Sequence, residues 1–216
     1  MLSLRKPSPA SITGFLRSQR ETDVDSLPLQ LVEKISRHRS GRDDEGGAAG
    51  FNFDETRRTL GQGRACFDRA CAALRSWRHF DLGWMGAAPA DTPIEIGRDV
   101  AILFHAGGLW WLNACRIVKV IDEPEKRFGF VYQTLPSHAE IGAERFLVQW
   151  NQGQSQGASG SNAASGGNAE GEVIYEIRAV SRPRHLLARI GYPYARHMQR
   201  WFARCSADAM AKAAAS

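Results

Sequence analysis

Cysteine is scarce, and none of it is paired by spacing: Cys66, Cys71, Cys115 and Cys205 form no C-x-x-C unit. That excludes a disulfide frame and a zinc site of ordinary spacing, and it predicts free thiols in a reducing cytoplasm. Long apolar runs are missing too. The most apolar stretch, residues 100–115, is interrupted by His105 and Gly107-Gly108 and is shorter than the ~20 residues a bilayer-spanning helix needs. The opening MLSLRKPSPASITGFL has neither an apolar core nor a small-residue cleavage site, so no signal peptide is expected. No G-x-S-x-G, Walker or G-x-G-x-x-G sequence occurs, and Gly61-Gln62-Gly63 lacks the rest of any phosphate-binding fingerprint. Charge is only mildly one-sided. Twenty-eight Lys and Arg against 23 Asp and Glu give +5 over 216 residues, a weak argument for nucleic acid.

What is present is a globular composition, 43% hydrophobic, long enough for one compact domain. Three regions differ. Residues 1–50 are polar and broken, and read as an N-terminal appendage with a flexible linker at Ser40-Gly41-Arg42-Asp43-Asp44-Glu45-Gly46-Gly47. Within them one short helix is expected from an N-cap at Ser8 and Pro9 in the first turn, with Ile12, Phe15 and Leu16 on one face. A second is expected through Leu27, Leu31 and Ile35. Residues 51–216 read as the domain. Inside it, segment 151–170 has no large apolar residue and reads as an extended hairpin insertion.

Within the domain, Phe67, Ala70, Cys71, Leu74 and Trp77 recur at three and four, predicting an amphipathic helix. The period then changes to two. Strands are expected over 80–86, 96–106, 109–121, 126–134, 143–150 and 172–180, with a glycine turn at Gly107-Gly108. The alternation places Trp111, Cys115, Ile117, Phe128, Phe130, Tyr132, Phe146, Val148, Trp150, Val173, Tyr175 and Ile177 on a buried face. It places Arg116, Arg127, Gln133, Arg145, Gln149, Glu176 and Arg178 on a wet one. A last helix is expected to start at Ser181-Arg182-Pro183 and to kink at Gly191-Tyr192-Pro193. Leu187, Ile190, Tyr194, Met198, Trp201 and Cys205 would face the core, and Arg189, Arg196, Arg200 and Arg204 solvent.

The runs FNFDETRRTLGQG, FDLGW, GLWWLNACRIV, RFGFVYQTLPSHAE, ERF and SRPRHLLARIGYP resemble a bacterial and plant family described as domain of unknown function nineteen-ninety, with a UPF-type plant relative. The likeness spans about residues 51–212. It implies an α+β helix-grip fold like that of START and polyketide-cyclase-like proteins, in which a curved antiparallel sheet of about six strands grips a long C-terminal helix and commonly leaves a cavity. The residue pattern leads to the same arrangement independently. The family supplies no reaction and no catalytic residues.

Three functional readings follow. In the first, the chain binds a small hydrophobic or amphipathic molecule between sheet and helix, with Trp111, Phe130, Tyr132, Phe146 and Trp150 as apolar contacts and Asn113 and Tyr175 orienting it. In the second, a cyclase, hydratase or hydrolase uses His138 and Glu140 with Tyr132, next to Glu144. In the third, a cavity-free domain contacts a partner through the arginines of its C-terminal helix. Seven arginines and no acids lie between residues 177 and 207, which suits an anionic surface. The inward placement of Tyr194 and Trp201 argues against single-stranded nucleic acid. No cofactor is expected, and no metal, because H-x-E without a third spaced ligand is a weak donor set.

Overall fold

A computed structural model of the chain describes residues 1–34, 50–151, 171–184 and 192–216. The linker at 40–47, nearly all of the 151–170 insertion, and Leu187, Arg189, Ile190 and Gly191 lie outside the described residues.

The described chain runs β1 (Leu2–Ser3), α1 (Pro9–Arg17), α2 (Leu27–Lys34), β2 (Asn52–Gln62), α3 (Gly63–Arg75), a 3-10 turn (Arg78–Phe80), β3 (Met85–Ala88), β4 (Asp99–Ala106), β5 (Leu109–Glu123), β6 (Arg127–Thr134), β7 (Glu140–Asn151), β8 (Glu172–Pro183) and α4 (Tyr192–Ala215). Seven strands form one antiparallel sheet in the order β2-β8-β7-β6-β5-β4-β3, with β1 added beside β5. The sheet curls into a half-barrel around α4, and the fold is a helix grip.

Local chemistry accounts for the elements the pattern identifies. Ser8 caps α1 by accepting a hydrogen bond from the Ser11 amide at 3.2 Å, and Pro9 takes the first turn. Gly107 and Gly108, at φ of 60° and 75°, close the β4–β5 hairpin. A bulge between Ile117 and Lys119 keeps both Ile117 and Val120 on the inner face.

Several expectations are corrected. Residues 80–86 are not one strand: Arg78–Phe80 form a 3-10 turn, and β3 begins only at Met85. The last helix does not start at Ser181. There β8 continues to Pro183, paired with β7 through Glu140 and with β2 through Asn52, so ladder hydrogen bonds prevail over a local cap-and-proline signal.

The second face of the sheet is wet only in part: Gln149 is exposed and the Arg127 side chain partly so, but elsewhere the N-terminal segment covers it. Leu31 and Val32 of α2 pack on Phe51, Val131, Ala143 and Val180, while Ile12 of α1 packs on Ala101, Leu103 and Leu112. Arg116 is bound to Asp99 and donates to the carbonyls of Gln19, Arg20 and Thr22, and Gln133 donates to that of Asp25. These polar residues therefore anchor the N-terminal helices rather than meet solvent. On the same face Glu176 sits between Arg145, Arg178 and Arg57, which hold its carboxylate below the usual range although burial opposes this.

The core-facing stripe of α4 is Phe202, Ser206, Met210 and Ala214, spaced by four. Tyr194 and Trp201 are exposed instead. The alanine-rich second half of the helix offers several stripes of similar hydrophobicity, and the one that meets α3 and the 3-10 turn is buried.

Candidate functional site

The inner face has an aromatic centre and a polar end. At the centre, Phe130 and Phe146 lie 5.3 Å apart, with Tyr132 5.5 Å from Phe146. The 3-10 turn inserts His79 and Phe80 above them: His79 is 4.7 Å from Phe146, and Phe80 is 5.5 Å from Phe146 and 4.9 Å from Phe202. Phe130, Phe146 and His79 are 0% exposed and Phe80 1%. This part of the inner face is therefore closed by the protein's own side chains. Among the described residues neither nitrogen of His79 has a hydrogen-bond partner, and burial pushes its imidazole down to about 3, so the ring packs as a neutral aromatic among the others.

The remaining predicted contacts are dispersed. Tyr175 is tied to α4 by its hydroxyl, 3.0 Å from the Ser206 hydroxyl. Trp111 stacks on Phe104 at 5.8 Å and donates to the Ala106 carbonyl. Asn113 is buried on β5 opposite Ile102. Trp150 stacks on Phe67 of α3 at the opposite end of the sheet, with its indole nitrogen buried and unbonded among the described residues. Two open concavities of about 610 and 670 Å³ lie against α1 and share no residue with the inner-face groups described below.

The polar end is built by register. Tyr132, Glu144, Ala179 and Asp54 are successive partners across β6, β7, β8 and β2, and therefore form one row on the inner face. The Tyr132 hydroxyl donates to Glu144 Oε2 at 2.5 Å. Asp54 accepts from both terminal nitrogens of Arg196 of α4, and the Arg196 Nη1 also donates to Gln199 Oε1 at 2.9 Å. Gln199 in turn donates to Glu140 at 2.7 Å and to the Ser181 hydroxyl at 3.3 Å. The side chains between the carboxylates are small: Ala179, Gly142 and Ser181.

Burial raises the Glu144 carboxyl to about 7. The nearby negative charges of Glu140 and Asp54 add to this, and the Tyr132 hydrogen bond opposes it. Burial also raises Glu140, although Gln199 and Arg196 work against it. Yet Glu144 and Ala179 are only half-buried, while Tyr132 and Phe146 beside them are 5% and 0% exposed. Glu144 thus keeps some accessible surface although it is strongly desolvated, and this end of the inner face brings together a proton donor-acceptor near neutrality, a phenol and further carboxylates.

His138 has a different place from the one its sequence position implies. Its Nδ1 accepts from the Glu140 amide at 3.0 Å, and its carbonyl accepts from Arg184. Burial, with Arg184 adding, pushes the imidazole down to about 3, so it is a poor base at neutral pH. Of the expected set His138, Glu140 and Tyr132, the phenol is hydrogen-bonded to the neighbouring Glu144 and Glu140 is held by Gln199, while His138 is bound to a backbone amide.

A family model described as Domain of unknown function (DUF1990) matches residues 38–209. The chain belongs to this family. A UPF0548 protein of Dictyostelium discoideum is 32% identical over all of this chain and 97% of its own length. A UPF0548 protein of Deinococcus radiodurans is 31% identical over 99% of both chains. Among solved structures, hypothetical protein jhp0584 from Helicobacter pylori overlaps 81% of this chain and 96% of its own at a TM-score of 0.49 and 10% identity.

Sequence reasoning missed Asp54, Ala179, Gly142 and Gln199 as members of this polar end. Asp54 lies on β2, a strand outside those the alternation predicts; there Phe51 packs against α2, Phe53 is 39% exposed, and Asp54 takes the inner face. Arg196, expected to meet solvent, is Asp54's partner.

Proposed function

We propose that this family member binds a small amphipathic molecule in the recess between the β2-β8-β7-β6 end of the sheet and the first turns of α4. The polar group of the ligand meets Glu144, Tyr132 and Glu140, and its apolar part lies along Ala179 and the helix. The observation that carries this reading is the half-buried, strongly desolvated Glu144 beside half-buried Ala179, next to an aromatic centre that is closed. Pockets of this kind are concave, mostly apolar and set with few polar groups.

Native mass spectra of the intact protein, taken before and after organic extraction, test it. A bound mass that extraction removes is expected, and it should be missing from Ala179→Phe, whose ring fills the recess while the fold is kept. A mass retained by a folded Ala179→Phe, or an apo mass in every native preparation, would overturn the placement. The four cysteines are free, which supports action in the reducing cytoplasm. Among the described residues no helix is long and apolar enough to cross a membrane.

The Glu144 carboxyl near 7 favours a second reading, proton transfer to or from the bound molecule in a hydratase, cyclase or hydrolase reaction. Conversion of the extracted ligand when it is returned to the protein, with a pH midpoint near 7 that Glu144→Gln abolishes, would establish it. A ligand recovered unchanged would exclude it.

A further inference from the structure

The face of α4 turned away from the sheet combines exposed aromatic rings with uncompensated positive charge. At 100° per residue, Arg200, Arg204, Trp201 and Tyr194 fall within an arc of about 120°. Tyr194 is 55% exposed and Trp201 39%. Trp201 lies flat on Trp84, from the segment before β3, with centroids 4.5 Å apart and planes 5° apart, so two indoles form one slab at the surface.

The arginines of this region divide sharply by partner. Arg178 is bound to Glu176 and Glu55, Arg182 lies over the Phe51 ring, Arg184 donates to the His138 carbonyl, and Arg196 is paired with Asp54. Arg200 and Arg204 are exposed and, among the described residues, have no carboxylate partner. The nearest acid along that face, Asp208, is paired with Arg58 at 3.5 Å.

We propose that this face of α4, together with Trp84, docks on an anionic membrane surface. Tryptophan and tyrosine rings with polar tips settle at the headgroup layer, and neighbouring arginines gain from acidic lipids. The arc supplies both on one rigid helix, with no net acid to oppose them. Single-stranded nucleic acid, which stacks bases on open ring faces, is the competing occupant, and the test separates the two. The inference does not depend on whether the recess at Glu144 is occupied.

Co-flotation of the full chain with phosphatidylcholine vesicles, with and without phosphatidylserine, tests it. Binding is expected only with phosphatidylserine, weakening as salt is raised, with tryptophan emission shifting to shorter wavelength. Arg200→Gln is expected to weaken binding about five-fold, and the Arg200→Gln/Arg204→Gln pair about 25-fold, at roughly a factor of five per basic residue. Both sites are exposed, so equal melting temperatures confirm that these variants fold. No binding to phosphatidylserine vesicles overturns the proposal, as does binding indifferent to both arginines and to Trp201→Ala. Tighter binding to a single-stranded oligonucleotide than to the vesicles would overturn it in favour of nucleic acid.

Discussion

Replacing Glu144 with glutamine is expected to stabilise the fold in neutral and alkaline solution. The carboxyl moves from its ordinary 4.5 to about 7 on folding, so in the interval between these values the unfolded chain has already lost a proton that the folded chain keeps. Stability from this group is therefore complete below pH 4.5, declines as pH rises through the interval, and is gone above about 7. The interval corresponds to about 3 kcal/mol. Glutamine carries no titrating proton, and its side-chain carbonyl can accept the Tyr132 hydroxyl as Glu144 Oε2 does.

Thermal and urea melts of the two proteins across this range measure the effect. Taking their difference cancels the contributions of His79 and His138, both held near 3 by burial. The difference should be small at low pH and grow to about 3 kcal/mol above neutrality, or about 6–12 °C in Tm for a chain of this size. Parallel curves, or a glutamine variant less stable than wild type above neutrality, would refute both the desolvation of Glu144 and the recess built on it.

Glu176→Ala removes the carboxylate shared by Arg145, Arg178 and Arg57, two of them with side chains only 12% and 6% exposed. It should cost about 3–5 kcal/mol in a urea melt, and a loss below about 1 kcal/mol would mean that the guanidiniums reach water. Gly129→Ala would place a methyl 2.2 Å from the Phe146 carbonyl oxygen, prising β6 from β7. A destabilisation of about 3 kcal/mol is expected, and an unchanged Tm would show that the two strands are not held at this spacing.

The parts of the fold legible in the sequence are those written by neighbours in the chain. The Gly107-Gly108 turn, the Ser8 cap and the alternation of Phe128, Phe130 and Tyr132 each carry their own local reason, and the antiparallel sheet with a C-terminal helix follows from them. What covers a face is not local. Arg116 and Gln133 look like solvated positions until the segment joining α1 to α2 is laid on them, and Arg145 and Glu176 until their strands bring them together; nothing in their own strands announces these partners. The same holds for the site. Tyr132 and Glu144 are twelve residues apart on adjoining strands and could be brought together by eye, but Asp54 joins them only because β2 pairs with β8. The clustering of His138 and Glu140 in sequence drew attention to a loop whose imidazole serves a backbone amide.

That same pairing has a consequence for biosynthesis. From β3 to β8 each strand lies beside its predecessor, so this meander can assemble in the order in which it leaves the ribosome. β2 cannot. It emerges before the meander, yet its partners run from Asn52 opposite Ser181, 129 residues later, to Gln62 opposite Glu172. Until then β2 has no sheet to join, and the floor of the recess lacks Asp54. The slow, long-range closure is the step at which a nascent chain of this family most depends on protection from its neighbours.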